Sequence, residues 1–425
     1  MKKSEHVLYE NTPSKSLFEA YPIGNGSLGC LVYVDRENTR LILSSDKLSP
    51  SFDAPDSLSE FNGEFLELDG VNSLIKENPP LIESFGEIKI SLPEVEYTQI
   101  KRHLDLKESI ASASYMKDAL LIEEEFFASN PKGCIAFKVK SSAPIDLSVA
   151  FNSLTCPEHF AYGMQTEFVY DGDEVKYGAH LRVRSDGEVS LSDGAIYLKG
   201  ATESFFCFSF EVRDTARDAA SESAKRMSAA ASLGYNAIRA EHIADTSLIY
   251  GRVGFTLQSL DNFDVSTSKR LKAFEYGSKD YSLICLAFNY GRYLYAASYR
   301  EGSPKKNLYG IWKTEAVGNG IFQSFEDKTP EGAMQFIKDA LLPYSEDTGR
   351  GVYPSLLNSH GVVHNLYFSA SIYAMLLGEE NGRPKALPTL PSEFVTGSFT
   401  GVKISDGRTA DISFCDKRVV EFRVY

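Results

Sequence analysis

The sequence predicts a multidomain α+β fold, with an N-terminal β-sandwich, a helical linker, a helical layer and a small C-terminal β domain. Three observations predict it. Residues 1–213 are short alternating apolar runs cut by Gly, Asn, Asp and Ser, the pattern of many strands without intervening helices. Residues 214–250 then become rich in Ala, Glu, Arg and Lys with almost no Gly or Pro, a helical composition. After Asn381-Gly382-Arg383-Pro384 the helical pattern stops and alternation returns.

The elements follow in order. Ile88 to Leu92 and Cys134 to Val139 read as strands, and Ser192-Asp193-Gly194 is a hairpin turn between Val189–Leu191 and Ile196–Leu198. In the linker, Ala219, Ala220, Met227, Ala230 and Ala231 fall near helical spacing, and Gly234 breaks the helix in two. Tyr281 to Ser298 is apolar on nearly every side, which predicts a helix buried within a layer of others. Residues 330–342 open on Pro330-Glu331, a good first-turn pair, and carry Met334, Phe336, Ile337, Ala340 and Leu341 on one face. A last helix is expected from Tyr367 to Leu377, then strands at Phe399–Ile404, Thr409–Phe414 and Val419–Val424 around Asp406-Gly407 and Asp416-Lys417 turns. The expected divisions are therefore 1–213, 214–280, 281–380 and 384–425.

Composition narrows the function classes. With 43% hydrophobic and 24% charged residues and no apolar run near the ~18 residues of a membrane span, the chain reads as a globular protein with no membrane partner. A net charge of −14 opposes a phosphate backbone, so nucleic acid is not an expected partner and a neutral or cationic ligand fits better. The six cysteines lie far apart without a CxxC pair, so they read as buried free thiols, and neither a metal ligand set nor a cofactor motif is found. The charged start Met-Lys-Lys-Ser-Glu-His lacks the apolar segment of a secretory signal, and the expected location is cytoplasmic.

Several separated segments resemble, in order, the signature segments of glycoside hydrolase family 95, the α-L-fucosidase family. They are Pro22-Ile23-Gly24-Asn25-Gly26-Ser27-Leu28-Gly29; Tyr97 with Arg102-His103-Leu104-Asp105-Leu106 and Phe127-Ala128-Ser129; and His242-Ile243-Ala244-Asp245 with Arg252-Val253. The most specific is Tyr290-Gly291-Arg292-Tyr293-Leu294 with Ser298, Arg300 and Asn307-Leu308-Tyr309-Gly310-Ile311-Trp312. Leu387-Pro388-Thr389-Leu390-Pro391 and Gly397-Ser398-Phe399-Thr400-Gly401 are similar to the family's closing segment. The resemblance implies a supersandwich-like β domain, a helical linker, an α/α barrel of six helix pairs and a C-terminal β domain. Twelve helices of ~11 residues with ~4-residue loops need roughly 180 residues, and 281–380 supply too few, so only a partial barrel is expected.

The family is understood to invert configuration with a Glu acid and a water activated by two Asn and an Asp, held on opposite faces of the sugar. Here Trp312 is followed by Lys313-Thr314-Glu315-Ala316-Val317-Gly318-Asn319-Gly320 instead of an Asn-Ile-Asn segment, and the Ser-Pro-Glu-Asn acid segment is absent. Val363-His364-Asn365-Leu366-Tyr367 stands where the supporting Asp falls. The remaining acid–base candidates are Glu346 and Asp347, a carboxylate pair beside His360 and His364, which could equally be a solvated turn. Trp312, His360, His364 and Asn365 are the candidate substrate-binding residues.

Three functions stay open: a non-catalytic, carbohydrate-associated or scaffolding protein, with fucosylated glycans among the ligands; an active hydrolase with a rearranged site; and a decayed gene product. A partial barrel with an open apolar face also predicts a homo-oligomer formed through the 281–380 helices. Bland readings sit beside the sharp ones: Gly24-Asn25-Gly26 as a tight turn, Arg292 and Arg300 as satisfiers of helix ends or ion pairs, and Glu123-Glu124-Glu125 as an exposed strand end.

Overall fold

The computed structural model describes residues 5–35, 37–48, 84–92, 97–155, 157–260, 262–300, 311–312, 325–341, 361–404 and 407–425. Its first half is built from β1 (Val7–Glu10), β2 (Tyr21–Gly24), β3 (Leu28–Val34), β4 (Asn38–Ser45), β5 (Ser84–Ser91), β6 (Gln99–Asp105) and β7 (Ile110–Lys117). There follow β8 (Leu120–Ser129), β9 (Cys134–Ser153), β10 (Glu158–Tyr162), β11 (Gln165–Asp171), β12 (Lys176–Ser185), β13 (Glu188–Ser192) and β14 (Ala195–Val212). The first layer runs β1-β6-β7-β8-β9-β14-β12-β11-β10, and the second runs β2-β3-β4-β5 onto the far half of β9 and of β14, where β13 closes it.

Two long strands join these layers. β9 pairs with β8 over Cys134–Ser141 and with β5 over Ser148–Ser153, and β14 changes partners in step with it. The bend has local causes: Pro144 lacks an N–H for the ladder, Gly200 takes φ +65°, and the β9–β14 register shifts on either side of Ala201. Facing aromatic side chains fill the space between the layers, with Phe137 and Phe206 stacked at 4.8 Å and Phe85 and Phe210 at 4.1 Å.

The helical linker packs on the outer face of the first layer. α1 (Ala216–Leu233) is capped by Thr215, whose side chain accepts from the Asp218 N–H, and α2 (Tyr235–Tyr250) follows after Gly234 at φ +77°. The Ala-rich face of α1 is the price of proximity: a Cβ on Gly178 of β12 would lie 2.3 Å from the Ala220 backbone, so the helix sits almost on the sheet. Phe127, Cys134, Ala136 and Cys207 therefore face Met227, Ala230 and Ile238 in a second core, and the β9 start is buried on both sides.

Beyond α3 (Thr267–Glu275), the helical layer consists of α4 (Ser282–Ser298), α5 (Pro330–Leu341) and α6 (Gly361–Leu376) among the described residues. α4 is buried on nearly every side, as its sequence predicts. α6 starts at Gly361, about two turns earlier than Tyr367. The two helices touch closely at Gly291, where a Cβ would stand 2.2 Å from the Asn365 carbonyl. Among the described residues this segment thus contributes three helices to the layer.

The chain then makes a two-stranded ribbon, β16 (Leu377–Glu380) with β17 (Arg383–Ala386), before β18 (Gly397–Lys403), β19 (Thr409–Cys415) and β20 (Arg418–Val424). β15 (Gly254–Leu257), from the stretch read as linker, pairs with β18 and completes a four-stranded sheet. Phe255 on β15 is buried against Phe288 of α4 and Phe399 of β18, so this sheet is anchored to the helices.

The expected self-association rested on an open apolar helical face. Among the described residues the exposed large apolar side chains include Phe160 and Tyr162 on β10, Val420 and Phe422 on β20, and Tyr276, and none belongs to α4, α5 or α6. Those helices spend their apolar faces on one another, on the sandwich and on the C-terminal sheet.

Candidate functional site

The hairpin from β2 to β3 is where sandwich and helices meet. Asn25 shapes its turn: its carboxamide oxygen accepts from the Ser27 and Leu28 N–H groups, and its amide donates to the Ser129 carbonyl. Gly26 has φ +89° and donates its N–H to the Ala297 carbonyl near the end of α4, leaving no room for a Cβ against Arg300. Gly29 faces the Ile311 carbonyl, which would stand 2.3 Å from a Cβ there. The turn is therefore a docking surface for the helical layer.

Trp312 completes that contact. Its ring is 2% exposed and its indole N–H donates to the Ile23 carbonyl at 2.8 Å, while the Tyr293 hydroxyl donates to the Pro22 carbonyl at 2.6 Å. Trp312 is spent on the junction and presents no face for a sugar to stack on. Arg292 donates to the Val253 and Tyr250 carbonyls, closing the end of α2 onto α4, and Arg300 pairs with Asp245 at 3.1 Å.

The same holds one layer out. Arg102, 1% exposed, donates to the Thr12 and Glu19 carbonyls and the Ser14 hydroxyl, and its guanidinium lies over the Tyr21 ring. His242 bonds the Ser109 carbonyl and stacks on Phe127 at 4.7 Å, tying α2 to the β6–β7 turn.

Of the residues expected to form a site, Glu346, Asp347 and His360 lie outside the described residues, as does most of the stretch from Trp312 to Pro330. His364 falls on the first turn of α6. Asn365 is buried, with its carbonyl accepting from Ser369 at the α4–α6 contact. Trp312 and Asn365 therefore lie at different packing contacts, the first through its indole and the second through its backbone carbonyl. A cavity of about 50 Å³ between α4, α6 and β18, lined by Arg292, Tyr250 and Ser369, has room for a few waters and none for a sugar.

Burial raises the pKa of three carboxyls among the described residues, Asp105, Glu10 and Glu124, and carries the last two into the range expected of a general acid. Burial pushes Glu10 up to about 7 although Ser268 donates to it through both its N–H and its hydroxyl. Burial likewise pushes Glu124 up to about 7, against hydrogen bonds from Thr39 and Tyr115. A raised pKa is useful only where a substrate can arrive, and these groups are 1% and 2% exposed.

The acidic run read as an exposed strand end is therefore split. Glu123 faces solvent, Glu124 is sealed between the layers, and Glu125 accepts from Tyr235 and Arg239 of α2. The two-residue period of β8 carried this signal, since one member of three consecutive residues must face the opposite way from its neighbours. Among the described residues no cluster of three His, Cys, Asp or Glu is placed to hold a metal ion, and no helix is long and apolar enough to cross a membrane.

A two-layer sandwich is thus bound through the Gly24–Gly29 turn to a helical linker, a helical layer and a terminal sheet. Residues 8–216 match the family model "Glycosyl hydrolase family 65, N-terminal domain", and residues 234–319 match "Glycosyl hydrolase family 95 catalytic domain". Alpha-L-fucosidase 2 of Arabidopsis thaliana is 27% identical over 365 residues, covering 71% of this chain and 43% of that enzyme. "Probable alpha-fucosidase A" of Aspergillus niger is 23% identical over 354 residues, covering 72% of this chain and 44% of its own. A solved bacterial glucoamylase complexed with acarbose aligns with a TM-score of 0.32 at 9% identity over 68% of this chain and 44% of its own. The chain is thus similar to glycoside hydrolase family 95 and its α-L-fucosidases, and it spans less than half the length of the curated relatives it matches.

Proposed function

We propose that this chain is a carbohydrate-associated protein of the family 95 type that does not cleave glycosides by the family's route. One observation carries the reading: the family-like segments at Pro22–Gly29, Arg102, His242, Arg292 and Trp312 are all engaged in holding sandwich, linker and helices together. What the chain shares with fucosidases is thus the framework. The sequence after Trp312 lacks the Asn pair that the resemblance calls for, and an inverting reaction without its water-activating groups has no nucleophile.

Release of aryl alcohol from an aryl α-L-fucoside tests the reading, with a Glu346→Ala, Asp347→Ala double variant alongside. No turnover by a protein that melts cooperatively supports it. Turnover that the double variant loses overturns it in favour of the second reading, a hydrolase whose acid and base are the Glu346-Asp347 pair near His360 and His364.

A further inference from the structure

The outer face of the first sandwich layer is only partly covered. α1 and α2 pack over Phe127, Ala136 and Cys207, and the turn at Gly234 leaves the far half of β6 to β9 open. A groove of about 490 Å³ crosses these four strands, and Lys101, Ser112, Ser114, Glu123, Lys138 and Lys140 line it.

Register orders the groove into two rows. Lys101, Ser114, Glu123 and Lys140 are successive cross-strand partners, and so are His103, Ser112, Glu125 and Lys138. Neighbours within a row stand ~4.8 Å apart and the rows ~6.7 Å apart, so donors and acceptors repeat on a flat grid. One wall is held stiff, because Glu125 is engaged by Tyr235 and Arg239 and the Lys138 ammonium rests over the Tyr235 ring at 4.4 Å.

Charge selects the occupant. Among the described residues none of Lys101, Lys138 and Lys140 is in an ion pair; of the carboxyls that also line the groove, Glu124 is buried beneath the sheet and Glu125 is held by Arg239, so Glu123 faces three ammonium groups on a chain of net charge −14. An anion seated here gains charge-assisted bonds without displacing a carboxylate. A duplex nucleic acid, with a charge every ~1.7 Å, would be repelled by the rest of the body, whereas a sugar chain is sparsely charged. Ser112, Ser114 and Glu123 supply partners for the hydroxyls that such a chain also carries.

We propose that this groove binds an acidic polysaccharide, its carboxylates on Lys101, Lys138 and Lys140 and its hydroxyls on Ser112, Ser114 and Glu123. The assignment rests on the carbohydrate-associated reading above and names its ligand class.

Affinity electrophoresis of the whole chain through polygalacturonate, dextran, poly-glutamate and duplex DNA tests it, beside a Lys101→Gln, Lys140→Gln variant. Both lysines are exposed, and an unchanged melting temperature establishes that the variant folds. The expected result is retardation by polygalacturonate, weakened by salt and about tenfold weaker in the variant. Equal retardation of variant and parent overturns the proposal, and so does equal binding to poly-glutamate or DNA. Retardation by dextran alone overturns it while sparing the carbohydrate-associated reading; retardation by neither polysaccharide counts against both.

Discussion

Replacing Glu124 with Gln should abolish the pH dependence that this residue imposes on folding. Its carboxylate accepts from Tyr115 at 2.9 Å and Thr39 at 2.6 Å, its other oxygen has no partner, and burial raises its pKa from 4.5 to about 7. Between those two values the folded chain holds a proton that the unfolded chain has released, so stability falls as pH rises. The contribution is fully present below 4.5 and gone above about 7. At 1.36 kcal/mol per pH unit this amounts to about 3 kcal/mol. Gln keeps the shape and the acceptor but cannot ionise, and its unsatisfied amide N–H costs about 1–3 kcal/mol at every pH. The stability difference, variant minus parent, should therefore rise by about 3 kcal/mol from pH 4.5 to pH 8. Urea denaturation is the assay, followed by the fluorescence of Trp312, the only tryptophan in the chain. A difference that is flat with pH, or that falls, would show that Glu124 does not hold its proton in the folded chain between pH 4.5 and about 7.

Gly29→Ala drives a methyl into the Ile311 carbonyl, 2.3 Å from the Cβ position, and should cost about 1–3 kcal/mol while shifting Trp312 emission to the red. Gly291→Ala meets the Asn365 carbonyl at 2.2 Å and should loosen α4 from α6, read as faster amide exchange in both helices. Arg102→Ala strips three backbone and hydroxyl acceptors of their donor and empties a fully buried site; a loss of about 3–5 kcal/mol and faster proteolysis before Tyr21 are expected. Cys415 is exposed while Cys30, Cys134, Cys207 and Cys285 are buried, so brief iodoacetamide treatment of native protein should label Cys415 first among these five, by peptide mapping.

Local rules made much of the fold legible. The break at Gly234 follows from a backbone at φ +77°, and the Asp193-Gly194 turn from two consecutive residues with positive φ, both conformations that particular side chains favour. The three C-terminal strands likewise match β18, β19 and β20 within about two residues at each end. Other features were hidden because their cause is distant in sequence. β15 is four residues long and becomes a strand only by pairing with Phe399 and its neighbours, about 140 positions away. Trp312 and Asn365 are sugar-binding candidates by residue type, and what type cannot show is that the fold buries both, giving the indole N–H to Ile23 and closing the Asn365 backbone carbonyl against Gly291.

The linear chain carries the order of strand-rich and helical segments, the buried character of α4 and the resemblance to fucosidases, since periodicity and motif order need no tertiary context. What those motifs touch is set by folding. Glu123, Glu124 and Glu125 are three identical letters, yet one meets solvent, one is sealed at a pKa of about 7 and one anchors a helix. Solvation, charge neighbours and hydrogen-bond partners belong to the folded environment, and no residue carries them in its name.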